Sequence, residues 1–153
     1  MPTGRPGFFS VRLFGWYDRA VFTSPDVRPQ SKLSRSGALS QSGLDLLFAG
    51  DATSAALAFR EAIQVDPGHI EAHHGLIRAL CDAEQFEAAV AAAQALTALT
   101  PNDPLAHTSL SIALQKAGQI PEAEAAAGRA RILEWKQQLA AGPTADPDKD
   151  TLL

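Results

Sequence analysis

Between Glu71 and Cys81 the sequence places four side chains that proteins commonly use for chemistry. They are Glu71, His73, His74 and Cys81, the last being the single cysteine of the chain. Glutamate, histidine and cysteine are zinc ligands, and a cysteine beside a histidine forms a nucleophile–base pair. The segment therefore raises the question of a metal site or a catalytic site.

The spacing of these residues argues against both kinds of site. On a helix, His73 and His74 point about 100° apart, and His74 and Cys81 lie about two turns apart. Neither pair closes around one ion, and the sequence has no H-E-x-x-H motif or paired cysteines. No histidine lies one turn from Cys81 to act as its base. We expect no catalytic residue, no metal and no cofactor, and we predict that the protein is not an enzyme.

Length and composition restrict the class of protein further. A chain of 153 residues fits one domain, and its net charge of −4 disfavours a nucleic acid partner. No apolar run approaches the roughly 18 residues of a membrane span. The segment FFSVRLFGWY is interrupted by Arg12 and lacks a cleavage site for a signal peptide. We expect a cytoplasmic protein, and the abundance of alanine, with more arginine than lysine, indicates a GC-rich bacterial gene.

Charge and aromatic residues divide the chain into three parts. Residues 1–35 carry six basic and two acidic side chains, a net charge of +4, so the remainder carries −8. Six of the ten aromatic residues lie within the first 22 positions. We predict an irregular basic, aromatic arm over residues 1–35, a helical domain over 36–141 and a disordered polar tail over 142–153.

The helical domain contains an internal repeat of 34 residues. DPGHIEAHHGL aligns with TPNDPLAHTSL, which pairs Pro67 with Pro101, His73 with His107 and Leu76 with Leu110. The same offset defines three units, 36–69, 70–103 and 104–137. Each unit contains two helical patterns separated by turn residues, with Asp51 and Asp103 as predicted helix caps. The last helix is predicted to continue to about residue 140, because Gly142-Pro143 is the first stop signal after it.

This helix–turn–helix period resembles the tetratricopeptide repeat. Unit one matches the family pattern at Gly43, Ala55, Phe59, Ala62 and Pro67, and the later units match it at fewer positions. The resemblance implies an all-α fold of three stacked antiparallel helix pairs, which form a short right-handed superhelix, an α-solenoid. Small residues at the positions of Ala55 and Ala62 allow close helix contact, and no unit buries its apolar face alone. Three positions depart from the pattern: Ser42 replaces leucine, Ile77 replaces glycine and Trp135 replaces proline.

The resemblance also implies a function and the residues that would carry it out. In this family the first helix of each repeat lines a concave face that binds peptides, and the position shared by His73 and His107 is a packing position that prefers a flat ring. We therefore predict a non-catalytic protein–protein interaction module that binds an unidentified protein or peptide. The predicted concave-face residues are Leu44, Phe48, Glu71, His74, Arg78, Cys81, Asp82, Leu105, Thr108, Ile112, Gln115 and Lys116.

Several alternatives stay open at this point. The polar residues among these are equally well explained as solvated positions. A clamp for chaperone C-termini is disfavoured, because the matching positions hold Ser40, Leu44, Gly75, Leu105 and Ser109 instead of lysine, asparagine and arginine.

The arm provides a second functional hypothesis, a membrane-surface or assembly role through residues 8–22. It could also cover the groove or an open repeat end, or be absent if the native chain starts near Leu33. The sequence does not decide whether the protein forms a homo-oligomer.

Overall fold

The computed structural model describes residues 32–143. The predictions for residues 1–31 and for the tail beyond Pro143 lie outside the described residues and stay predictions. The first helix begins at Lys32, inside the segment that we assigned to the arm.

Six α-helices and no strand make up the described part of the chain. Each helix packs on the next, and α1 also contacts α3, which in turn contacts α5, so the first helices of the three pairs form one layer. The predicted all-α fold of three helix pairs is confirmed. None of the six helices has the length and hydropathy needed to cross a bilayer. The helices are α1 (Lys32–Phe48), α2 (Ala52–Val65), α3 (Ile70–Asp82), α4 (Phe86–Leu99), α5 (Pro104–Lys116) and α6 (Ile120–Ala141).

Side-chain caps define where two of these helices begin, as the sequence predicted. The Asp51 carboxylate accepts a hydrogen bond from the backbone N–H of Ser54 at 3.1 Å. The Asp103 carboxylate accepts one from the N–H of Leu105 at 3.0 Å, and Pro104 follows as the first residue of α5. Both carboxylates satisfy N–H groups that have no partner within the helix.

The turn inside each helix pair has the same backbone geometry. Gly50 (φ 86°), Glu84 (φ 60°) and Gly118 (φ 80°) are 34 residues apart and all adopt positive φ. The N–H of each donates to the carbonyl three residues earlier at 3.0–3.1 Å, and the following N–H donates to the carbonyl five residues earlier. This is the Schellman helix ending, which favours glycine because a Cβ is strained in the left-handed region. Only Glu84 carries that strain among the three.

We predict that Glu84→Gly stabilises the fold by about 1 kcal/mol, because it removes the left-handed strain of a residue with a Cβ. The matched variant is Gly118→Ala. A Cβ at Gly118 has open space around it, so this change adds only the backbone strain and should cost about 1 kcal/mol. Urea unfolding measures both changes, and a loss of stability in Glu84→Gly would contradict the assignment of strain.

Phe59 of α2 joins the first two repeats. Its ring is fully buried and lies between two glycines, Gly43 of α1 and Gly75 of α3. A Cβ built on Gly43 would lie 2.8 Å from the ring, and one on Gly75 would lie closer still. The family pattern predicts Gly43 but not Gly75. In the second repeat Ile77 stands where the pattern has glycine, and it is buried.

Small residues form most of the remaining core. Eight alanines are fully buried, and the largest fully buried side chains beside Phe59 are Leu80 and Leu96. Because the interior is close-packed, added methyl groups at such positions have little room. The core therefore depends on short side chains at the helix contacts. The eight alanines are Ala55, Ala62, Ala72, Ala79, Ala89, Ala93, Ala106 and Ala113.

We predict that Gly75→Ala lowers the free energy of unfolding by roughly 1–3 kcal/mol, because the new methyl group overlaps the buried Phe59 ring. The matched control is Gly128→Ala in the middle of α6, where a Cβ would meet nothing within 4 Å. That change should stabilise the protein by about 0.5–1 kcal/mol through helix propensity alone. Thermal or urea unfolding of both variants tests this, and equal effects would exclude the Phe59 contact as the cause.

Candidate functional site

His73 and His107 make the same backbone contact in consecutive repeats. Both side chains are buried, and each donates its Nε2–H to a proline carbonyl six residues earlier. The distances are 2.8 Å to Pro67 and 2.9 Å to Pro101. Since a carbonyl only accepts hydrogen bonds, Nε2 must carry a proton in both rings. These histidines tie the start of a first helix to the preceding turn.

Residues near the start of α3 are also engaged with each other. His69 forms a hydrogen bond through Nδ1 with the fully buried Ser36 hydroxyl of α1. Its Nε2 lies 3.6 Å from the exposed carboxylate of Glu71. Across the part of the chain that the structure describes, no three His, Cys, Asp or Glu side chains come together as a group able to hold a metal ion.

A groove lies between α3 and α5, the first helices of the second and third repeats. Its volume is about 290 Å³. Six of the twelve predicted concave-face residues line it, together with two that were not predicted. The predicted ones are His74, Arg78, Cys81, Asp82, Ile112 and Lys116, and the additional ones are Ile77 and Ser109.

The sequence gives a different indication for each of the two unpredicted groove residues, Ile77 and Ser109. Ile77 breaks the family pattern, because the pattern has glycine at that position. Ile77 is a large apolar residue next to Arg78, which is one of the predicted concave-face residues. The replacement of glycine at this place indicates that the surface around Arg78 differs from that of the family pattern. Ser109 matches a position of the chaperone clamp but is not the residue type required there.

The other six predicted residues lie outside the lining of this groove. Leu44 (39% exposed) and Phe48 (87% exposed) belong to α1, and Leu105 (62% exposed) belongs to the first turn of α5. The Thr108 hydroxyl donates to the carbonyl of its own helix at Pro104, 2.9 Å away. Glu71 pairs with His69 as described above. Gln115 is exposed.

The groove has an apolar floor and a charged rim. Ile77 and Cys81 are 4% and 6% exposed and form the floor, while Ile112 of the opposite wall is 47% exposed. On the rim, Arg78 Nε lies 3.9 Å from Asp82 Oδ2, and both side chains are exposed. An exposed pair of this kind contributes about 0–1 kcal/mol.

Cys81 is not an activated nucleophile in this environment. Burial raises the pKa of its thiol, the nearby Lys116 ammonium opposes that shift, and Asp82 adds to it. The raised pKa keeps the thiol protonated at neutral pH, and the thiolate is the reactive form. The side chain therefore acts as a small apolar group in the groove floor.

His74 connects the two walls of the groove. Its Nδ1 is hydrogen-bonded to the Ser109 hydroxyl of α5 at 2.9 Å. Burial lowers the pKa of His74, the carboxylates of Asp103 and Glu71 raise it, and His73 lowers it. Burial is the largest of these effects, so the ring is neutral at pH 7.

The lowered pKa of His74 predicts a specific loss of stability in mild acid. Below about pH 6.5 the unfolded chain protonates this histidine more readily than the folded chain, so unfolding becomes easier as the pH falls. His74→Gln removes this contribution. Urea midpoints at pH 7 and at about pH 5.5 should therefore differ less for the variant than for the parent chain. Each protein is compared with itself at the two pH values, so any pH-independent effect of the substitution on stability cancels. If the midpoints of the variant and of the parent chain shift equally between pH 7 and pH 5.5, the prediction is wrong.

Comparison with known proteins adds evidence for the fold. Residues 46–111 match the family model described as tetratricopeptide repeat, a segment that runs from α1 into α5. No curated protein sequence matches the chain. Among solved structures, MamA shares 19% identity at a TM-score of 0.63, covering 72% of this chain and 63% of that one.

Two further solved structures share the fold. The type III secretion translocator chaperone SycD of Yersinia enterocolitica has 16% identity and a TM-score of 0.60, covering 76% of this chain and 83% of that one. A chain of the CopN–Scc3 complex has 21% identity and a TM-score of 0.59, covering 64% of this chain and 58% of that one. This chain thus spans about three fifths of the CopN–Scc3 and MamA chains. The predicted resemblance is confirmed over residues 46–111, which match the tetratricopeptide repeat model, and the solved structures show the same helical-repeat fold.

Proposed function

We propose that the protein binds a partner protein through the groove between α3 and α5, and that the partner inserts an apolar side chain into it. The observation that carries this proposal is the combination of an apolar floor with a charged rim. Ile77 and Cys81 form the floor, and Arg78, Asp82 and Lys116 lie on the rim. Protein interfaces place their energetically dominant contacts in such desolvated pockets and surround them with polar groups.

The size of the groove favours a side chain over a complete small ligand. Its volume of about 290 Å³ lies at the lower end of the roughly 300–1,000 Å³ found for small-molecule sites. The groove is open to solvent and not an enclosed cavity, so the backbone of a bound peptide can continue beyond the anchored side chain. A peptide segment is the occupant that uses both features.

Exposed apolar residues extend this surface along two helices. Leu105 and Ile112 are seven residues apart on α5, which places them on the same face two turns apart. Leu44 and Phe48 have the corresponding four-residue spacing on α1. A peptide that lies along the concave face would contact these side chains in addition to the anchor pocket.

The charged residues on the rim of the groove would select between peptides and would contribute only a small part of the free energy of binding. Arg78 and Asp82 already pair with each other, whereas Lys116 forms no ion pair with any described residue. A peptide with an acidic residue beside its apolar anchor would meet Lys116 favourably. Rim charges of this kind mainly change association rate and salt dependence.

The shared fold gives this proposal general support. SycD is named as a chaperone, and the CopN–Scc3 structure is a complex of proteins. At 16% and 21% identity these proteins share the fold with our chain, and their partners say nothing about its partner.

The test selects peptides from a random library against the full chain and measures their affinity for variants. Ile112→Ser should weaken binding by about tenfold, because it removes apolar contact from the pocket wall. Arg78→Ala should weaken it by less than about fivefold, as an exposed charge pair contributes about 0–1 kcal/mol. The matched control is Leu57→Ser on α2, a residue of similar exposure outside the groove, which should leave affinity unchanged.

An exposed thiol on the rim supplies an independent readout within the same experiment. In a chain with Cys81→Ala and Lys116→Cys the single thiol lies on the exposed rim of the groove, so a bound peptide should slow its modification by iodoacetamide. If binding survives Ile112→Ser and leaves this rate unchanged, the groove is not the binding site. If deletion of residues 1–31 then abolishes binding, the predicted arm is the functional element.

A further inference from the structure

The last helix is longer than its repeat requires. The ends of α2 and α4 are equivalent to Leu133, so α6 continues for eight further residues, 134–141. Every residue of this extension is exposed. It nevertheless carries Trp135 and Leu139, which are 60% and 62% exposed. Packing within the described fold does not account for these two apolar side chains.

Trp135 and Leu139 belong to an apolar stripe along one face of α6. The spacing within the stripe alternates between three and four residues, which is the heptad spacing by which one helix packs on another. The stripe is about 21 Å long, and the buried residues of α6 lie on the opposite side of the helix. Its members, each at least partly exposed, are Ala125, Gly128, Ile132, Trp135 and Leu139.

Basic side chains flank the stripe on both sides. In heptad packing the positions beside the apolar residues select the partner by charge. In the second half of the stripe these positions hold Arg129 and Lys136 on one side and Arg131 on the other. None of the three cations forms an ion pair with a described residue. The acidic residues of α6 lie at its N-terminal end, except Glu134, which is about 160° from Ile132 around the helix. The surface therefore fits a partner that is both apolar and acidic.

A cleft of about 520 Å³ opens beside the stripe. Ala125 and Gly128 belong to its lining, together with Arg129 and Lys136, and none of the described residues that line it is acidic. A Cβ built on Gly128 would meet nothing within 4 Å, so the small residues leave room there. A side chain of an approaching helix can enter this cleft, whereas a flat bilayer surface would contact only its rim. The cleft shares no residue with the groove between α3 and α5.

We propose that α6 docks an acidic amphipathic helix of a partner protein, which packs along the stripe with heptad spacing. The apolar residues of that helix contact Ile132, Trp135 and Leu139, and one of them enters the cleft beside Gly128. Carboxylates at its flanking positions pair with the three cations that border the stripe. This second contact surface is separate from the groove between α3 and α5 and does not depend on it.

A second copy of the chain fits this surface less well than an acidic helix. In a parallel pair of α6 helices, heptad packing brings Arg131 opposite Lys136 of the second copy. In an antiparallel pair with Ile132 against Trp135, it brings Arg129 opposite Lys136 of the second copy. Like charges meet in both arrangements, which disfavours them. Acidic residues on the partner remove this repulsion and replace it with attraction.

The test uses a displayed library of helical peptides with leucine at heptad spacing and a random choice of glutamate, glutamine or lysine at the flanking positions. Selection against the full chain should enrich glutamate over lysine about fivefold, because the cations beside the stripe favour carboxylates. Affinity of a selected peptide is measured by the emission of Trp135 in a chain with Trp16→Phe, which leaves a single tryptophan. The emission should shift to the blue as the peptide removes the indole from water.

Two substitutions in the stripe locate the contact. Leu139→Ser should weaken the selected peptide about tenfold, because it removes an apolar contact. Gly128→Leu should also weaken it about tenfold, because the new side chain occupies the cleft that the peptide enters. The matched control is Ile112→Ser in the groove between α3 and α5, which should leave this affinity unchanged.

A charge exchange tests the role of the cations. Arg129→Glu together with Lys136→Glu should invert the preference, so that the same peptide with lysine in place of glutamate binds about tenfold more tightly than the original peptide. The matched control is Arg60→Glu, an exposed arginine on α2, which should leave the preference for glutamate unchanged. Circular dichroism of each variant verifies that the helices remain intact.

Other outcomes would overturn the proposal and identify a different occupant. Equal enrichment of glutamate and lysine, or peptides that Leu139→Ser and the charge exchange leave bound, would show that the stripe does not dock an acidic helix. If the chain sediments as a dimer that Leu139→Ser dissociates, a second copy covers the stripe. If vesicles of phosphatidylglycerol and phosphatidylcholine shift the emission of Trp135 to the blue, and Gly128→Leu strengthens their binding, the stripe faces an anionic lipid surface.

Discussion

The contact of one phenylalanine with two glycines sets the geometry of the described fold. Phe59 is fully buried and reaches Gly43 of its own repeat and Gly75 of the next one. A solenoid is stable only through contacts between neighbouring repeats, since no single repeat buries its apolar face. One aromatic ring that touches both first helices therefore determines how far α1 and α3 stand apart. The layer continues from α3 to α5, where the groove lies.

The residues that suggested chemistry are largely used to hold the backbone. His73 and His107 donate to proline carbonyls of the preceding turns, and His69 is bonded to the buried Ser36. A buried carbonyl without a partner costs roughly 1–3 kcal/mol, which is enough to account for a histidine at each position. Only His74 and Cys81 remain on the groove, and both are kept in their neutral forms by burial. The groove thus presents neutral side chains at both of these positions.

The sequence predicted the parts of the structure that depend on repetition, and missed those that depend on exceptions. The 34-residue period located the helix pairs, the capping aspartates and the shared position of His73 and His107, because equivalent positions have equivalent surroundings. It could not predict that Gly75 faces Phe59, since the second repeat departs from the pattern there. It also missed the left-handed Glu84, because a residue with a Cβ at that position gives no local sign of positive φ, and only the glycines 34 residues on either side, Gly50 and Gly118, indicate it. For the candidate site, twelve residues were predicted to share a face and six of them line one groove, whereas Ile77 was identified only as a departure from the pattern. Whether these residues bind a partner is a property of the partner as well, so the sequence alone cannot supply it.

The floor of the groove belongs to the core as well as to the surface. Ile77 and Cys81 are buried on α3, yet they line a cavity that the fold leaves open toward α5. A side chain placed there would add to the packing between the second and third repeats, where the apolar residue of the opposite wall, Ile112, is about half exposed. Because a ligand that binds only the folded state stabilises it, occupation of the groove and the stacking of these repeats are thermodynamically linked. The linkage also works in the opposite direction. A change that loosens α3 from α5, such as loss of the bond between His74 and Ser109, would lower the affinity of the groove for the peptide that we propose to bind there, although His74 and Ser109 need not contact the peptide themselves. The groove therefore depends on the contacts between α3 and α5 that also stack the second repeat on the third.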